Sequence, residues 1–301
     1  MGEQAPKMVI SGASGMVGSA LSQEARRQGW EVVPMVRQRS AEGIYWSVEE
    51  EAIDVEGLEG ADAVVHLAGK NIAGERWSEE HKREIRTSRV VGTTLVAEAI
   101  GAMKDAPKAF ICASAVGFYG HQGQAWVDEE SEAGEGFLAA VCQAWEEACE
   151  PAREVEETRV VNARFGMILA EEGGALEKML LPFKMGIGGR LGDGHQYMSW
   201  VALEDVVRAI LFAIEHKLEG PVNVTAPNPV TNRQFTKALG KALSRPTVLP
   251  VPSFGLKAVV GGEMAEEMLL HGQRVKPAVL EEAGFEFNQP ELGPALAELV
   301  G

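Results

Sequence analysis

Basic side chains, cysteine and tyrosine are all scarce in this chain, and each shortage removes a class of function. Lysine and arginine number 28 against 44 aspartates and glutamates, a formal net charge of −16. That excess argues against nucleic acid or an anionic membrane as a partner. The three cysteines, Cys112, Cys142 and Cys149, form no Cys-x-x-Cys and leave an odd count. Structural disulfides and a cysteine metal site are therefore not expected, and the three read as small buried apolar residues. No metal is expected elsewhere. No apolar run reaches the roughly 18 residues of a membrane span. The opening MGEQAPKMVISG lacks the regions of a signal peptide, so the expected location is cytoplasmic.

What is present is an ordinary globular composition, 46% apolar and 24% charged over 301 residues. That length suits one large domain or two unequal ones. Short β-branched runs alternate with helical patterns through the first two thirds, which predicts an α/β fold with a doubly wound parallel sheet. Strands are expected at Met8–Ile10, Glu31–Val36, Tyr45–Trp46, Ala63–Leu67, Ala109–Ala113, Arg159–Phe165 and Val222–Val224. Ser78 is a predicted N-cap for a helix to about Ala102, and Phe137 to about Glu150 reads as another, stopped near Pro151. Leu203–Glu215 carries an apolar face, and Thr231 with Gln234 has capping-box spacing for a helix through Leu243. The expected division is a Rossmann domain over 1–170, to which 200–225 returns, and a smaller C-terminal α/β substrate lobe over 171–199 and 226–301.

The motif with the clearest physical content is Gly12-Ala13-Ser14-Gly15-Met16-Val17-Gly18, between a predicted strand and a predicted helix. Gly12 permits a tight turn, Gly15 lets the backbone approach a pyrophosphate, and Gly18 lets helix and strand pack closely. Free N–H groups and the dipole at the helix start favour the anion. The second strand ends Met35-Val36-Arg37-Gln38-Arg39, without the acid that accepts a bond from a ribose 2′-hydroxyl. Arg37 suits a 2′-phosphate, which predicts NADP; a solvated basic turn is the other reading.

VVHLAG (Val64–Gly69), Arg76-Trp77 through Arg89, ASAVGFYG (Ala113–Gly120), the Gly173–Gly189 segment, GHQYMSW (Gly194–Trp200) and APNPVTN (Ala226–Asn232) run in order. Together they resemble the epimerase-family proteins of the atypical short-chain dehydrogenase/reductase group, the nucleoside-diphosphate-sugar epimerase-like proteins of extended type. The resemblance implies that Leu67, Ala68 and Gly69 lie beside the adenosine and pyrophosphate. It places Glu84 and Arg89 toward the cofactor, and Met167 and Ile168 near the nicotinamide. Each has an alternative reading as core or as a helix salt bridge. It leaves a monomer or a homodimer equally open.

Catalysis departs from the wider superfamily. Its Tyr-x-x-x-Lys would fall in the helix from Phe137, where Leu138 and Cys142 stand instead. None of Tyr45, Tyr119 and Tyr197 has a lysine four residues on. Ser114, at a strand end, and Tyr119 remain as catalytic candidates, with His121 and His195 as further acid/base candidates. His195, Tyr197 and Trp200, beside Gln196, are expected to line a substrate pocket, although an aromatic there also reads as core. The functional expectation is an NADP-dependent oxidoreductase or epimerase on an unknown small molecule. The alternative is a non-catalytic NADP-binding sensor or assembly factor.

Overall fold

A computed structural model describes residues 5–300. Its centre is an eight-stranded sheet built from β1 (Lys7–Ser11), β2 (Glu31–Val36), β3 (Ile44–Ser47), β4 (Ala52–Ile53), β5 (Ala63–His66), β6 (Ala109–Ala115), β7 (Arg159–Phe165) and β8 (Gly220–Val224). The spatial order is β8-β7-β6-β5-β1-β2-β3-β4. Every pairing is parallel except β3 with β4. Chain order runs outward from β1 to β4 on one side and then restarts at β5 on the other. The carboxyl ends of β1 and β5 therefore diverge into loops that leave in opposite directions, and this reversal opens a crevice for a ligand.

Helices cover both faces. On one, α1 (Met16–Arg27) and α5 (Leu203–Glu215) bury Leu21, Ala25, Val206 and Ile210 against Ile10, Val65, Ile111 and Val161. On the other, α2 (Glu79–Ala102) and α3 (Phe137–Glu147) bury Val96, Ile100 and Trp145 against Val9, Val64 and Phe110. Burial on both faces explains why these strands read as continuous apolar runs. Further elements are α4 (Gly174–Lys184), α6 (Asn232–Ala242) and α7 (Ser253–Val260). A third core, with Leu169, Leu176, Trp200, Phe235, Leu239 and Leu296, joins α4 and α6 to the C-terminal helix Leu292–Val300.

The predicted caps are present. Ser78 accepts a bond from the His81 N–H at 3.1 Å, and Thr231 and Gln234 satisfy one another reciprocally. The helix expected over Phe137–Glu150 instead ends at Glu147, and a second short helix spans Glu150–Arg153 with Pro151 in its first turn. Proline lacks an N–H but is preset for a first helical turn, so it starts an element here rather than merely stopping one. Among the described residues no helix is long and apolar enough to cross a membrane.

Candidate active site

The crevice is assembled by close backbone contact. Gly12 has φ +69°, and a Cβ there would sit 3.1 Å from the Leu67 carbonyl carbon and the Ala68 nitrogen. A Cβ on Gly18 would meet Ala13 Cα at 2.8 Å. The turn, the end of β5 and the start of α1 are thus packed without room for side chains. Ser14 and Gly15 form the exposed crest. Gly15 is the N-cap of α1, no side chain caps the helix, and its first turn holds no acid. Its first N–H groups face outward with the dipole behind them, a cradle suited to a diphosphate. Met16 reaches the other wall, where its sulfur would meet a Cβ on Gly173 at 3.5 Å.

Ser11 and His66 fix the floor. Ser11 Oγ accepts from the Leu67 and Ala68 N–H groups at 3.1 and 3.2 Å. Its own proton is then free to donate to His66 Nδ1 at 2.7 Å, which leaves the ring proton on Nε2. Burial drives the His66 pKa down to about 4, and Trp46 packs against the ring edge-on. The imidazole is a neutral structural acceptor. Sequence reading passed over it because His66 sits in an apolar strand that looks complete without it.

At the end of β2 the two arginines separate. Arg39 is bound to Glu50 at 2.7 Å and lies over the Tyr45 ring. Arg37 is exposed and meets no carboxylate within ion-pair distance among the described residues. Glu84 and Arg89 converge on the turn after β5 by different contacts. Lys70 Nζ lies 2.8 Å from Glu84, and Arg89 donates to the Lys70 carbonyl at 3.0 Å, its guanidinium beside Gly69 and over Trp145. Glu75, the buried His81 and Glu84 also approach one another, with the Lys70 ammonium held on Glu84.

Ser114 and Tyr119 do not meet as a catalytic pair. Ser114 donates to Glu146 Oε1 at 2.6 Å, and Glu146 takes both Nε and Nη2 of Arg164 at 2.8 Å. Arg164 Nη1 donates to Tyr119 Oη at 2.9 Å, and Tyr119 donates to Asn223 Oδ1 at 2.8 Å. The Asn223 N–H in turn donates to Glu129 at 2.9 Å, and Glu129 also accepts from Ala278 and Val279. All of these side chains are buried. Burial pushes the Tyr119 phenol up to about 12 against the pull of Arg164. Both candidates therefore tie β6, β7, β8 and α3 together. The network was missed in the sequence, although its signal was there: Arg164 is a charge inside a buried strand, and such a charge needs partners.

On α3, Leu138 and Cys142 pack beside Gly117, whose Cβ would lie 3.6 Å from Leu138 and 3.8 Å from Cys142 Sγ. Burial pushes the Cys142 thiol up to about 12. Glu267 accepts from the Phe137 and Leu138 N–H groups at 2.8 Å and so caps the helix. In the loops beside it, His121 and His271 stack with centroids 4.5 Å apart. Met167 and Ile168 begin a short strand paired with Trp200–Ala202.

The expected pocket residues disperse. Trp200 is fully buried in the third core and its indole donates to the Asn228 carbonyl at 3.1 Å, so it is core and not pocket. Tyr197 is half-buried under Arg274. His195 is exposed beside Arg233. A neighbouring open cavity of about 490 Å³ is lined instead by Arg190, Asp193, Gln196 and Ser253, among others.

Residues 8–225 match the NAD dependent epimerase/dehydratase family, and residues 251–299 match a domain of unknown function, DUF1731. The chain is 47% identical to an epimerase family protein of Mycobacterium leprae, over 96% of this chain and 94% of that one. It is 36% identical to the human epimerase family protein SDR39U1, over 98% and 99%. The crystal structure of the human protein with NADPH superposes with a TM-score of 0.90 at 35% identity, covering 98% of this chain and 99% of that one. A UDP-glucose 4-epimerase from Thermotoga maritima shares the fold, with a TM-score of 0.77 at 19% identity over 98% of this chain and 97% of that one. By its matched residues and its relatives, this chain belongs to the NAD dependent epimerase/dehydratase family.

Proposed function

We propose that the chain binds NADPH in the crevice above β1 and β5 and works as an oxidoreductase or epimerase on a small molecule. The observation that carries the reading is the side-chain-free cradle over an uncapped α1, with Arg37 at the end of β2 exposed and meeting no carboxylate within ion-pair distance among the described residues. Amides of the Gly12–Gly18 loop would take the diphosphate, and Arg37 would take the 2′-phosphate. Leu67, Ala68 and Gly69 would flank the cofactor, with Glu84 and Arg89 braced on the same turn. Met167 and Ile168 would face the nicotinamide end. NADPH complexed with the human relative supports this choice of cofactor. The separate third core supports a substrate lobe over 171–199 and 226–301. The proposed site of action is the cytoplasm.

NADPH supplies a hydride when bound; the protein has to orient it and supply a proton route. Leu138 and Cys142 offer no acid at the Tyr and Lys positions, and Ser114 and Tyr119 are engaged elsewhere. The His121–His271 stack stands in the loops next to the start of α3 and is the proposed proton source. The second reading, a redox sensor or assembly factor without turnover, is favoured by the same loss of Tyr and Lys.

Fluorescence titration tests the cofactor: NADPH should bind roughly tenfold more tightly than NADH, about 1.4 kcal/mol, and Arg37→Asp should remove the difference. Equal affinities in the parent protein overturn the assignment of Arg37. Oxidation of bound NADPH, followed over a panel of carbonyl compounds, separates the two functions. Turnover that drops in His121→Ala supports the enzyme. Absence of oxidation across the panel supports the sensor.

A further inference from the structure

The negative charge of the chain is not spread evenly. Residues 220–262 contain five basic side chains, Arg233, Lys237, Lys241, Arg245 and Lys257, and not one acid. The same part of the molecule exposes large apolar side chains. Leu181, Met185 and Ile187 lie on the end of α4 and the turn after it, Val248 and Leu249 in the segment after α6, and Phe254 and Val259 on α7. Trp126 is the one other large apolar side chain exposed to this degree among the described residues. Val248 is 83% exposed and Phe254 77%, so these are not rim atoms of the core. Helix α7, Ser-Phe-Gly-Leu-Lys-Ala-Val-Val, buries none of its residues. An apolar helix without a buried face lacks the packing that ordinarily holds a short helix in place.

The segments form one surface. Arg245 Nε donates to the Lys184 carbonyl at 2.9 Å, and the Val251 N–H donates to the Arg190 carbonyl at 2.8 Å. Lys184, Lys241 and Arg245 are exposed, and none has a carboxylate within ion-pair distance among the described residues. Lys257 is taken by Glu266 at 2.6 Å, and Glu177 is turned to the Gly173 N–H at 3.0 Å. The result is an aliphatic patch edged by unpaired cations on an otherwise acidic protein.

Three occupants differ in what they ask of it. A second copy would set the same cations against themselves across a two-fold axis. A nucleic acid has no use for exposed Leu, Met, Ile and Val. A bilayer with anionic headgroups takes both parts at once, cations at the phosphate level and aliphatic side chains at the acyl boundary. We propose that this face seats the protein on an anionic lipid surface, with Lys184, Lys241 and Arg245 on the headgroups and Leu249, Ile187 and Phe254 inserted. The chain-wide charge spoke against an anionic membrane; segregation of that charge removes the objection for this one face.

Flotation of the full chain with phosphatidylcholine vesicles, with and without phosphatidylglycerol, tests the proposal. Binding to the phosphatidylglycerol vesicles alone is expected, and it should weaken as salt rises. Lys184→Glu and Lys241→Glu should each weaken it at least about fivefold, the effect of about 1 kcal/mol per surface charge. Leu249→Glu and Phe254→Glu should abolish it. NADPH affinity, read in the same preparations, should not change, which shows that the variants are folded and keeps this test separate from that of the cofactor site. No flotation, equal flotation with neutral vesicles, or binding that survives Leu249→Glu overturns the proposal. So does a concentration-dependent dimer that Leu249→Glu dissociates without any vesicle binding.

Discussion

His66 is held neutral by burial, with its pKa near 4 against an ordinary value of 6.5. The unfolded chain takes up a proton below the ordinary value and the folded chain resists it. The contribution to stability is therefore complete above about pH 6.5 and is lost as the pH falls toward about 4. A shift of that size corresponds to roughly 3 kcal/mol. Denaturant midpoints measured from pH 7 to 4 should fall in the parent protein and fall less steeply in His66→Gln; parallel profiles would contradict the assignment. Arg164 makes the opposite demand, since it is buried as a charge. Burial lowers its pKa, and Glu146 with Tyr119 more than restores it. Glu146→Ala strands that charge and should cost roughly 3–5 kcal/mol in urea unfolding. Tyr119→Phe removes one partner of several and should cost about 1–3 kcal/mol while leaving NADPH binding intact. Loss of cofactor binding in Tyr119→Phe would return the tyrosine to the site.

At the scale of elements, β1, the loop after it and α1 act as one unit. An alanine methyl at position 18 would sit 2.8 Å from Ala13 Cα, and the obstacle is backbone, so α1 would have to move off the strand. Gly18→Ala should lower stability by roughly 1–3 kcal/mol and abolish NADPH binding, measured by thermal unfolding and fluorescence titration. Unchanged binding would mean that the cradle tolerates a displaced helix. This unit was legible in the sequence because its requirements are local: a buried apolar run, three glycines at fixed spacing and a helical face. The caps at Ser78 and Thr231 were legible for the same reason. The Arg164 network was not, because its members come from β6, β7, β8, α3 and the loops before and after them. Trp200 was open to both readings, although an aromatic near an apolar strand is more often core, and three-dimensional packing decides for core. The break at Glu147 was hidden by a proline that both stops one helix and opens the next.

At the scale of the whole molecule, the net charge of −16 sets how the cofactor must bind. A phosphorylated ligand approaches an acidic body, so the recognition proposed above is local, through loop amides, the α1 dipole and Arg37. Local recognition makes the folded state the species that holds NADPH, because the cradle exists only when β1, β5 and α1 are packed together. NADPH at about one hundred times its Kd should then add about 2.7 kcal/mol to the unfolding free energy. NADH at the same concentration, binding roughly tenfold more weakly, should add about 1.4 kcal/mol. Arg37→Asp should bring the two cofactors to the same, smaller increment without lowering the stability of the free protein, since Arg37 is exposed and meets no carboxylate within ion-pair distance among the described residues. Thermal unfolding with each cofactor, for parent and variant, measures all four quantities. If the variant keeps the full NADPH increment, the 2′-phosphate is read elsewhere on the molecule, and Arg89, braced on the turn after β5, becomes the residue to change next.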